Sequence, residues 1–322
     1  MNIINIGGWY VGNTAISDWM DGFEEIAFIK GEFNITRLEN GIMDMIVEPD
    51  PLKKIEMIRI QKKACYKSPY IISRSFIGHY TKFLLKPNFS HTYDYDRNLG
   101  FYINFHSYLS KYEEKLISHE EFDEVELWRD WLNRLLSSNL AHKNSKHTVF
   151  QNPFFYNDTF DGHKDVWPKL FSPYKLIFVH RDPLDQFSDI VKNKAHTLVS
   201  WPRFHKGTET MHPADRFLII SKKIYNARLK MAENYTKDEL AILSFENFLQ
   251  EHSRVTKGLK NFLDIKTQRD DSNKRFILEN SLKNIGKGKF NEEVASLLKG
   301  KEYVMEELNN LREQLMNHDN AI

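Results

Sequence analysis

Residues 3–14 of the chain are IINIGGWYVGNT, a short apolar run that ends in a glycine-rich turn. The run from Ile3 to Ile6 is short and rich in β-branched residues, which predicts a buried strand. Apolar residues recur at helical spacing from Thr14 to Met20, so a helix is expected directly after the turn. A second strand is predicted over 25–29. The opening of the chain therefore predicts one βαβ unit.

The segment from Gly7 to Thr14, called the glycine loop below, has the chemistry of an anion site. Backbone N–H groups in a loop that opens a helix bind phosphate, and the helix dipole adds to the attraction. A nucleoside triphosphatase would have lysine at the position of Asn13, and that lysine recognises the γ-phosphate. Taken alone, the loop fits either a phosphate site or a tight structural turn. A P-loop kinase or NTPase is therefore kept as an alternative.

Further strands are predicted over 148–151, 175–180 and 240–244, with helical patterns between them. Alternation of short buried strands with helices favours a parallel sheet that is covered on both faces. We predict a single α/β domain over 1–322 with a three-layer, P-loop-like fold: a central parallel sheet flanked by helices and a large helical insertion at about 51–145. One charged amphipathic helix is expected over about 291–316.

The composition excludes several classes of protein. Lys and Arg number 45 against 44 Asp and Glu, which gives no sign of a nucleic-acid partner. A single cysteine, Cys65, excludes an internal disulfide and a cysteine-clustered metal site. No zinc or calcium motif is present, so no metal cofactor is expected. No signal segment or membrane span is recognised, which favours a cytoplasmic protein. The oligomeric state is left open.

A second candidate anion element lies at 175–189, KLIFVHRDPLDQFSD. It sets Arg181 at the carboxyl end of a strand, and ligands of open parallel sheets bind at that edge. Arginine suits bidentate recognition of a phosphate. Asp182 is expected to cap the following helix, and Pro183 suits its first turn. We therefore expect Arg181 to face the same crevice as the glycine loop.

Together the two elements resemble the nucleotide-binding motifs of the PAPS-dependent sulfotransferase superfamily, where PAPS is 3′-phosphoadenosine 5′-phosphosulfate. In that family the first motif, G-x-x-[KR]-[SG]-G-[TS]-T, cradles the 5′-phosphate, and the second supplies an arginine and a serine to the 3′-phosphate. The resemblance implies that Arg181 binds the 3′-phosphate. It gives the 5′-phosphate role to the residues of the first motif, namely Tyr10, Val11, Gly12, Asn13, Thr14 and Ala15.

This chain departs from the family pattern at both motifs. Tyr10 stands where the family has a basic residue, which removes a positive charge beside the departing phosphate. Asp189 stands where the family has its serine, with Ser188 one place earlier as a substitute. A third departure is the absence of a lysine in the segment that begins at Gln151, where related enzymes often have Glu-Lys-Thr-Pro. Each change alters the charge that the site would offer to a nucleotide.

Two later segments extend the resemblance. Residues 243–248 resemble a strand that ends in a Glu-[DN]-[LF] turn, and 281–289, called the late basic loop below, resembles the loop that closes over the 3′-phosphate. Its lysines and glycines suit an anion-binding nest of backbone N–H groups. The residues that the resemblance assigns to the cofactor here are Lys283, Asn284, Gly286 and Lys287.

Sulfuryl transfer requires a base for the acceptor hydroxyl. Glu32 follows the second predicted strand, and its segment resembles the one that supplies a glutamate base in carbohydrate and tyrosyl-protein sulfotransferases. Arg37 is close enough in sequence to orient Glu32 or to hold the acceptor. His163 is a second candidate base. A solvent-facing glutamate is the structural alternative for Glu32, and coincidence among the 13 histidines is the alternative for His163.

The predicted function is transfer of a sulfuryl group from PAPS to a hydroxyl of a carbohydrate or lipid-linked saccharide, or of another small-molecule acceptor. A non-catalytic nucleotide- or glycan-binding relative remains an alternative because of Tyr10 and Asp189. The saccharide prediction also uses the aromatic residues of the insertion, which either stack on sugar rings or belong to the core. They are Phe76, Tyr80, Tyr93, Tyr95, Phe101, Tyr102 and Phe105.

Overall fold

The structure is a computed structural model. It describes residues 1–7, 10–33, 36, 39–67, 95–135, 145–153, 163–194, 207–208 and 210–322. For 29–32, 64–67, 95–103, 135 and 273–274 it describes the backbone only.

Five parallel strands form one sheet in the order β2-β3-β1-β4-β5. Their bounds are β1 Asn2–Gly7, β2 Ile26–Glu32, β3 His147–Gln151, β4 Tyr174–His180 and β5 Leu240–Ser244. The predicted α/β class with a central parallel sheet is confirmed. All five strands lie close to their predicted positions because each is a short apolar run bounded by turn residues.

Helices are found between and after these strands. In the first half of the chain they are α1 Asn13–Met20, α2 Ile42–Val47, α3 Pro51–Lys67, α4 Tyr95–Ile117 and α5 Glu124–Leu135. In the second half they are α6 Trp167–Phe171, α7 Pro183–Lys192, α8 Pro213–Ala232, α9 Phe245–Gln250, α10 His252–Leu263, α11 Ser272–Arg275, α12 Leu278–Leu282, α13 Glu292–Leu298 and α14 Tyr303–Met316. A 3₁₀ turn covers Lys287–Phe290. None of the described helices combines the length and the apolar character that crossing a bilayer requires.

The sheet separates two hydrophobic cores. Along β1, Ile4 and Ile6 contribute to one core and Ile3 to the other. Leu176 and Phe178 alternate in the same way with Ile177 on β4. Successive side chains of a strand point to opposite faces, so a strand buried on both faces is apolar throughout. The alternation places Asn5 on the face that α1 covers, where it becomes part of the site.

The central strand β1 is the switch point of the sheet. The chain leaves β1 toward β2 on one edge, returns to β3, and crosses over β1 to reach β4 on the other side. Ligands of open α/β sheets bind at such a point, beyond the carboxyl ends of the strands. The glycine loop, which follows β1, therefore lies in the expected crevice.

Part of the predicted insertion is described, in α3, α4 and α5. Phe105 of α4 is fully buried and packs its ring against Trp128 and Trp131 of α5. Phe105 is therefore a core residue rather than a sugar platform. The other six aromatic residues of that prediction lie outside the described residues or have undescribed side chains. The single-domain boundary and the extent of the insertion stay predictions.

The C-terminal segment contains two helices where one was expected over 291–316. The first, α13, ends at Leu298, and α14 begins at Tyr303. Gly300 between them has φ of 74°, in the left-handed region that ends a helix. The amphipathic pattern continues through this break, which is why the pattern alone did not reveal it.

The acid sensitivity of the fold is expected to depend on His147 at the start of β3. Burial, together with nearby positive charge, lowers the pKa of His147 to about 4. Because this value is below the unfolded value of about 6.5, the folded state favours neutral imidazole. Its contribution is complete above pH 6.5 and is lost as the pH falls toward 4.

The free energy of unfolding is expected to fall when the pH is lowered from 7 to 4.5. We predict that this fall is about 1–2 kcal/mol smaller in His147→Gln than in the natural chain. Urea titrations of both proteins at the two pH values measure this difference. Equal losses in the variant and the natural chain would contradict the assignment.

Candidate nucleotide site

The glycine loop is shaped by two glycines that admit no side chain. A Cβ on Gly7 would lie 2.5 Å from the side chains of Val11 and Asn13. Gly12 has φ of 87°, and a Cβ there would collide with the ring of Phe245. The backbone of the loop is therefore packed against β1 on one side and against the start of α9 on the other. Only glycine allows both approaches.

Asn5 holds the first turn of α1 on the sheet. Its Nδ2 donates to the carbonyl oxygen of Asn13 at 2.9 Å and to Ser17 Oγ at 2.7 Å. At the other end of the loop, the Gly7 N–H donates to Asn152 Oδ1 at 2.8 Å. Gln151 Nε2 donates to Thr14 Oγ1 at 2.9 Å. The carboxyl ends of β1 and β3 thus fix where α1 begins.

Asn13 has an unused donor at the N-terminus of α1. The side chain is buried, and its Nδ2 has no hydrogen-bond partner among the described residues. Buried amide groups in folded proteins almost always have a partner, and an orphan costs about 1–3 kcal/mol. Gly12, the N-cap residue, offers no side-chain acceptor to the helix. An anion at this end of α1 would satisfy the amide and complement the helix dipole.

The other residues of the first motif have different environments. Tyr10 has φ of 56° and a side chain that is 40% exposed. Val11 is buried in the core beneath the loop. Ala15 packs at the edge of that core, and its N–H donates to the Gly12 carbonyl oxygen at 3.0 Å. Of these six residues, Asn13 is therefore the one with a buried side-chain donor that has no partner among the described residues.

Arg181 joins three segments of the site. Its Nη1 donates to the Tyr10 carbonyl oxygen at 2.8 Å and to Asp189 Oδ2 at 2.6 Å. Its Nη2 donates to the carbonyl oxygen of Asn284 at 2.6 Å. The guanidinium carbon lies 5.3 Å from the centroid of the Phe245 ring. Arg181 thus clamps the glycine loop and the late basic loop together at the end of β4.

The helix that follows Arg181 begins as predicted. Asp182 caps α7 by accepting from the N–H groups of Leu184 and Asp185 at 2.9 and 3.1 Å, and Pro183 occupies the first turn. Asp189 lies one turn beyond Asp185 and forms the ion pair with Arg181. Burial and the Asp189 carboxylate raise the pKa of Tyr10, which favours the neutral phenol.

Ser188 contacts a different part of the protein from Asp189. Its hydroxyl is buried and accepts from Asn291 Nδ2 at 3.0 Å, where Asn291 caps α13. In this structure, Asp189 rather than Ser188 is therefore the neighbour of Arg181.

The late basic loop closes on α7 through Asp185. This buried carboxylate accepts from the N–H groups of Gly286 at 2.6 Å and Gly288 at 2.8 Å. A Cβ on Gly288 would lie 2.6 Å from the backbone of Leu184, so the loop and the helix are in direct contact. Lys287 Nζ donates to Asn284 Oδ1, and Lys283 is exposed. Asp185 was not among the predicted site residues, although its spacing of four residues from Asp189 placed both on one helical face.

The three predicted catalytic residues are described to different degrees. Glu32 ends the edge strand β2 and pairs with Gln151 of β3 in the sheet register, while its side chain is not described. Arg37 lies outside the described residues. His163 is buried, and its Nε2 lies 3.2 Å from Asp44 Oδ1 on α2. These catalytic assignments stay predictions. Within the described ranges, no group of three or more His, Cys, Asp or Glu side chains is arranged to hold a metal ion.

No family model and no curated protein sequence matches the chain. The matches found are to solved structures. A sulfotransferase domain from the Synechococcus PCC 7002 olefin synthase is 10% identical, with a TM-score of 0.41 over 89% of this chain and 80% of that one. A sulfotransferase domain from the curacin biosynthetic pathway is 13% identical, with a TM-score of 0.46 over 85% and 77%. A sulfotransferase from Mycobacterium avium is 13% identical, with a TM-score of 0.40 over 88% and 68%.

Proposed function

We propose that the chain binds a nucleotide at the glycine loop and transfers a sulfuryl group from it to a hydroxyl acceptor. The observation that carries the proposal is the buried Nδ2 of Asn13, which has no partner among the described residues and lies at the N-terminus of α1. The site is at the switch point of the sheet, where nucleotides bind in folds of this class. The motif resemblance implies PAPS as the donor.

The reaction needs few groups from the protein. The acceptor oxygen attacks the sulfur, the bond between the sulfur and the bridging phosphate oxygen breaks, and the acceptor proton passes to a base. The nucleotide leaves with the additional negative charge on its 5′-phosphate. The N-terminus of α1 and the Asn13 amide stabilise that charge as it develops. Binding both reactants at one edge of the sheet supplies the alignment.

Glu32 is the proposed base. It ends β2, two strands away from β1, and neighbouring strands lie about 4.8 Å apart, so the two strand ends are separated by about 10 Å. A sulfuryl group and an attacking hydroxyl fit within such a gap. Arg37 is proposed to orient Glu32 or the acceptor. His163 is less suited to the role because it is buried against Asp44.

The acceptor is proposed to be a saccharide, on the resemblance of the Glu32 segment to carbohydrate sulfotransferases. The burial of Phe105 removes one of the aromatic residues that favoured a sugar. The acceptor proposal therefore depends on Glu32 alone among the described residues.

A non-catalytic nucleotide-binding protein is the second candidate. The ion pair between Arg181 and Asp189 favours it, because the positive charge of Arg181 is already paired with a carboxylate of the chain itself. A kinase or NTPase is disfavoured because Asn13 stands where those proteins have lysine.

The first test is thermal unfolding in the presence of adenosine 5′-phosphate or of ATP with magnesium. Ligands that bind the folded state raise the unfolding temperature by mass action. We expect adenosine 5′-phosphate to raise it in a concentration-dependent manner without magnesium. A response to ATP with magnesium alone would contradict the proposal and favour the kinase class.

The second test is Asn13→Asp, which keeps the side-chain shape and puts a negative charge at the anion site. Like charges brought together in a binding site cost several kcal/mol, so the affinity for adenosine 5′-phosphate is expected to fall about 100-fold or more. Asn310→Asp, at an exposed position of α14, is the matched control and should leave the affinity unchanged. Equal affinity in the two variants would refute a phosphate at the start of α1.

A further inference from the structure

Arg181 uses three of its five N–H groups in bonds within the chain. Its two terminal nitrogens donate to two backbone carbonyl oxygens and to Asp189, and its side chain is 3% exposed. The face of the guanidinium lies against Phe245. Only Nε has no partner among the described residues, and it too is buried. An anion that approaches Nη1 would have to displace the Asp189 carboxylate or the Tyr10 carbonyl oxygen.

Asp189 also changes the charge at this position. The ion pair with Arg181 is close to neutral, so the attraction for an anion is largely cancelled. The carboxylate side chain is mostly buried, and it is held by a bond of 2.6 Å to Nη1. A phosphate brought to the same nitrogen would meet a negative charge within a few ångströms, and such contacts are strongly unfavourable away from water.

The late basic loop also binds a carboxylate of the chain. The N–H groups of Gly286 and Gly288 both point at the carboxylate of Asp185, at 2.6 and 2.8 Å. Successive N–H groups of this kind form an anion-binding nest, and here the anion belongs to α7. Asp185 and Asp189 lie one helical turn apart. One helix therefore supplies a carboxylate to each of the two elements that would otherwise receive a second phosphate.

The glycine loop differs from these two elements. No carboxylate of the described residues bonds to Asn13 Nδ2, which is buried and has no partner among those residues. Among the described residues, the crevice thus has one anion position without a carboxylate of the chain and two that already hold one.

We infer that the site takes a nucleotide with a 5′-phosphate or 5′-phosphosulfate and an unphosphorylated 3′-hydroxyl, and that Asp189 excludes the 3′-phosphorylated form. The inference rests on the proposed binding of a nucleotide at the glycine loop. It changes the donor from PAPS to a nucleoside 5′-phosphosulfate without the 3′-phosphate. Sulfuryl transfer from that donor breaks the same sulfur–oxygen bond and releases a nucleoside 5′-phosphate.

The test compares the affinities of adenosine 5′-phosphate and 3′-phosphoadenosine 5′-phosphate by isothermal titration calorimetry. It uses the natural chain, Asp189→Ser, and Asp264→Asn as a control for net charge, since Asp264 is exposed and forms an ion pair with the exposed Lys266. The natural chain and the control should bind adenosine 5′-phosphate at least as tightly as the 3′-phosphorylated nucleotide. In Asp189→Ser the charged hydrogen bonds of Arg181 become available to the 3′-phosphate, which should raise that affinity about 10- to 100-fold.

The outcomes separate the inference from the proposed function. A natural chain that binds the 3′-phosphorylated nucleotide more than about threefold tighter than adenosine 5′-phosphate overturns the inference and leaves the proposed function in place. A natural chain that binds neither nucleotide overturns the proposed function, and the inference with it. If Asp189→Ser does not fold, the ratio measured on the natural chain decides the question by itself.

Discussion

Replacing Arg181 by methionine is expected to lower the free energy of unfolding by about 3–5 kcal/mol, the cost of removing one partner from a buried ion pair. The substitution would leave the Asp189 carboxylate without its cation and two loop carbonyl oxygens, those of Tyr10 and Asn284, without a donor. The glycine loop and the late basic loop would lose their common anchor. Denaturant unfolding monitored by circular dichroism measures the loss.

Two controls separate the clamp from a general effect of removing charge. Lys222→Met breaks an ion pair with Glu307 in which both side chains are more than 40% exposed, and it should cost less than about 1 kcal/mol. The double variant Arg181→Met with Asp189→Leu should recover part of the stability, because the apolar pair leaves no buried charge while the two loop carbonyl oxygens stay without a donor. A single variant within about 1 kcal/mol of the natural chain would show that Arg181 is not a clamp.

Gly12→Ala is expected to destabilise the fold by about 3 kcal/mol, from two causes that add. A non-glycine residue in the left-handed region costs about 1–2 kcal/mol. The new methyl group would also collide with the Phe245 ring, and overpacking of this kind costs about 1–3 kcal/mol. Since Arg181 lies over the same ring, a shift of Phe245 would also disturb the clamp. Binding of adenosine 5′-phosphate should be lost together with stability.

Gly300→Ala is the matched control for this prediction. Gly300 has φ of 74°, and a Cβ there would meet nothing within 4 Å. Its replacement should cost only the backbone strain, about 1–2 kcal/mol, and leave nucleotide binding unchanged. Equal losses of stability in the two variants would show that the Phe245 contact adds nothing at Gly12. Unfolding free energies and nucleotide affinities of both variants provide the comparison.

The sheet was predictable because each strand is a short apolar run that ends in turn residues. Residues 175–180 and 240–244 show this most clearly, since β4 and β5 begin within one residue of the expected positions. Burial of a parallel sheet on both faces produces this pattern directly, without any knowledge of tertiary contacts. The break at Gly300 was missed because the amphipathic pattern continues on both sides of it.

The site was predictable in part. The order of strand, Arg181, Asp182 and Pro183 indicated the end of β4 and the capped start of α7, and both are present. The partners of Arg181 were not predictable, because the contact with Asn284 joins segments more than a hundred residues apart. The spacing of Asp185 and Asp189 on one helical face was visible in the sequence, but which groups they bind depends on how the late basic loop closes.

The central claim is that the start of α1 binds the 5′-phosphate of a nucleotide. A crystal structure of the chain with adenosine 5′-phosphate tests it most directly. The account predicts a phosphate oxygen within about 3.2 Å of Asn13 Nδ2, with the pair between Arg181 and Asp189 intact. A phosphate bound elsewhere, or bound at Arg181 with Asp189 displaced, would contradict it.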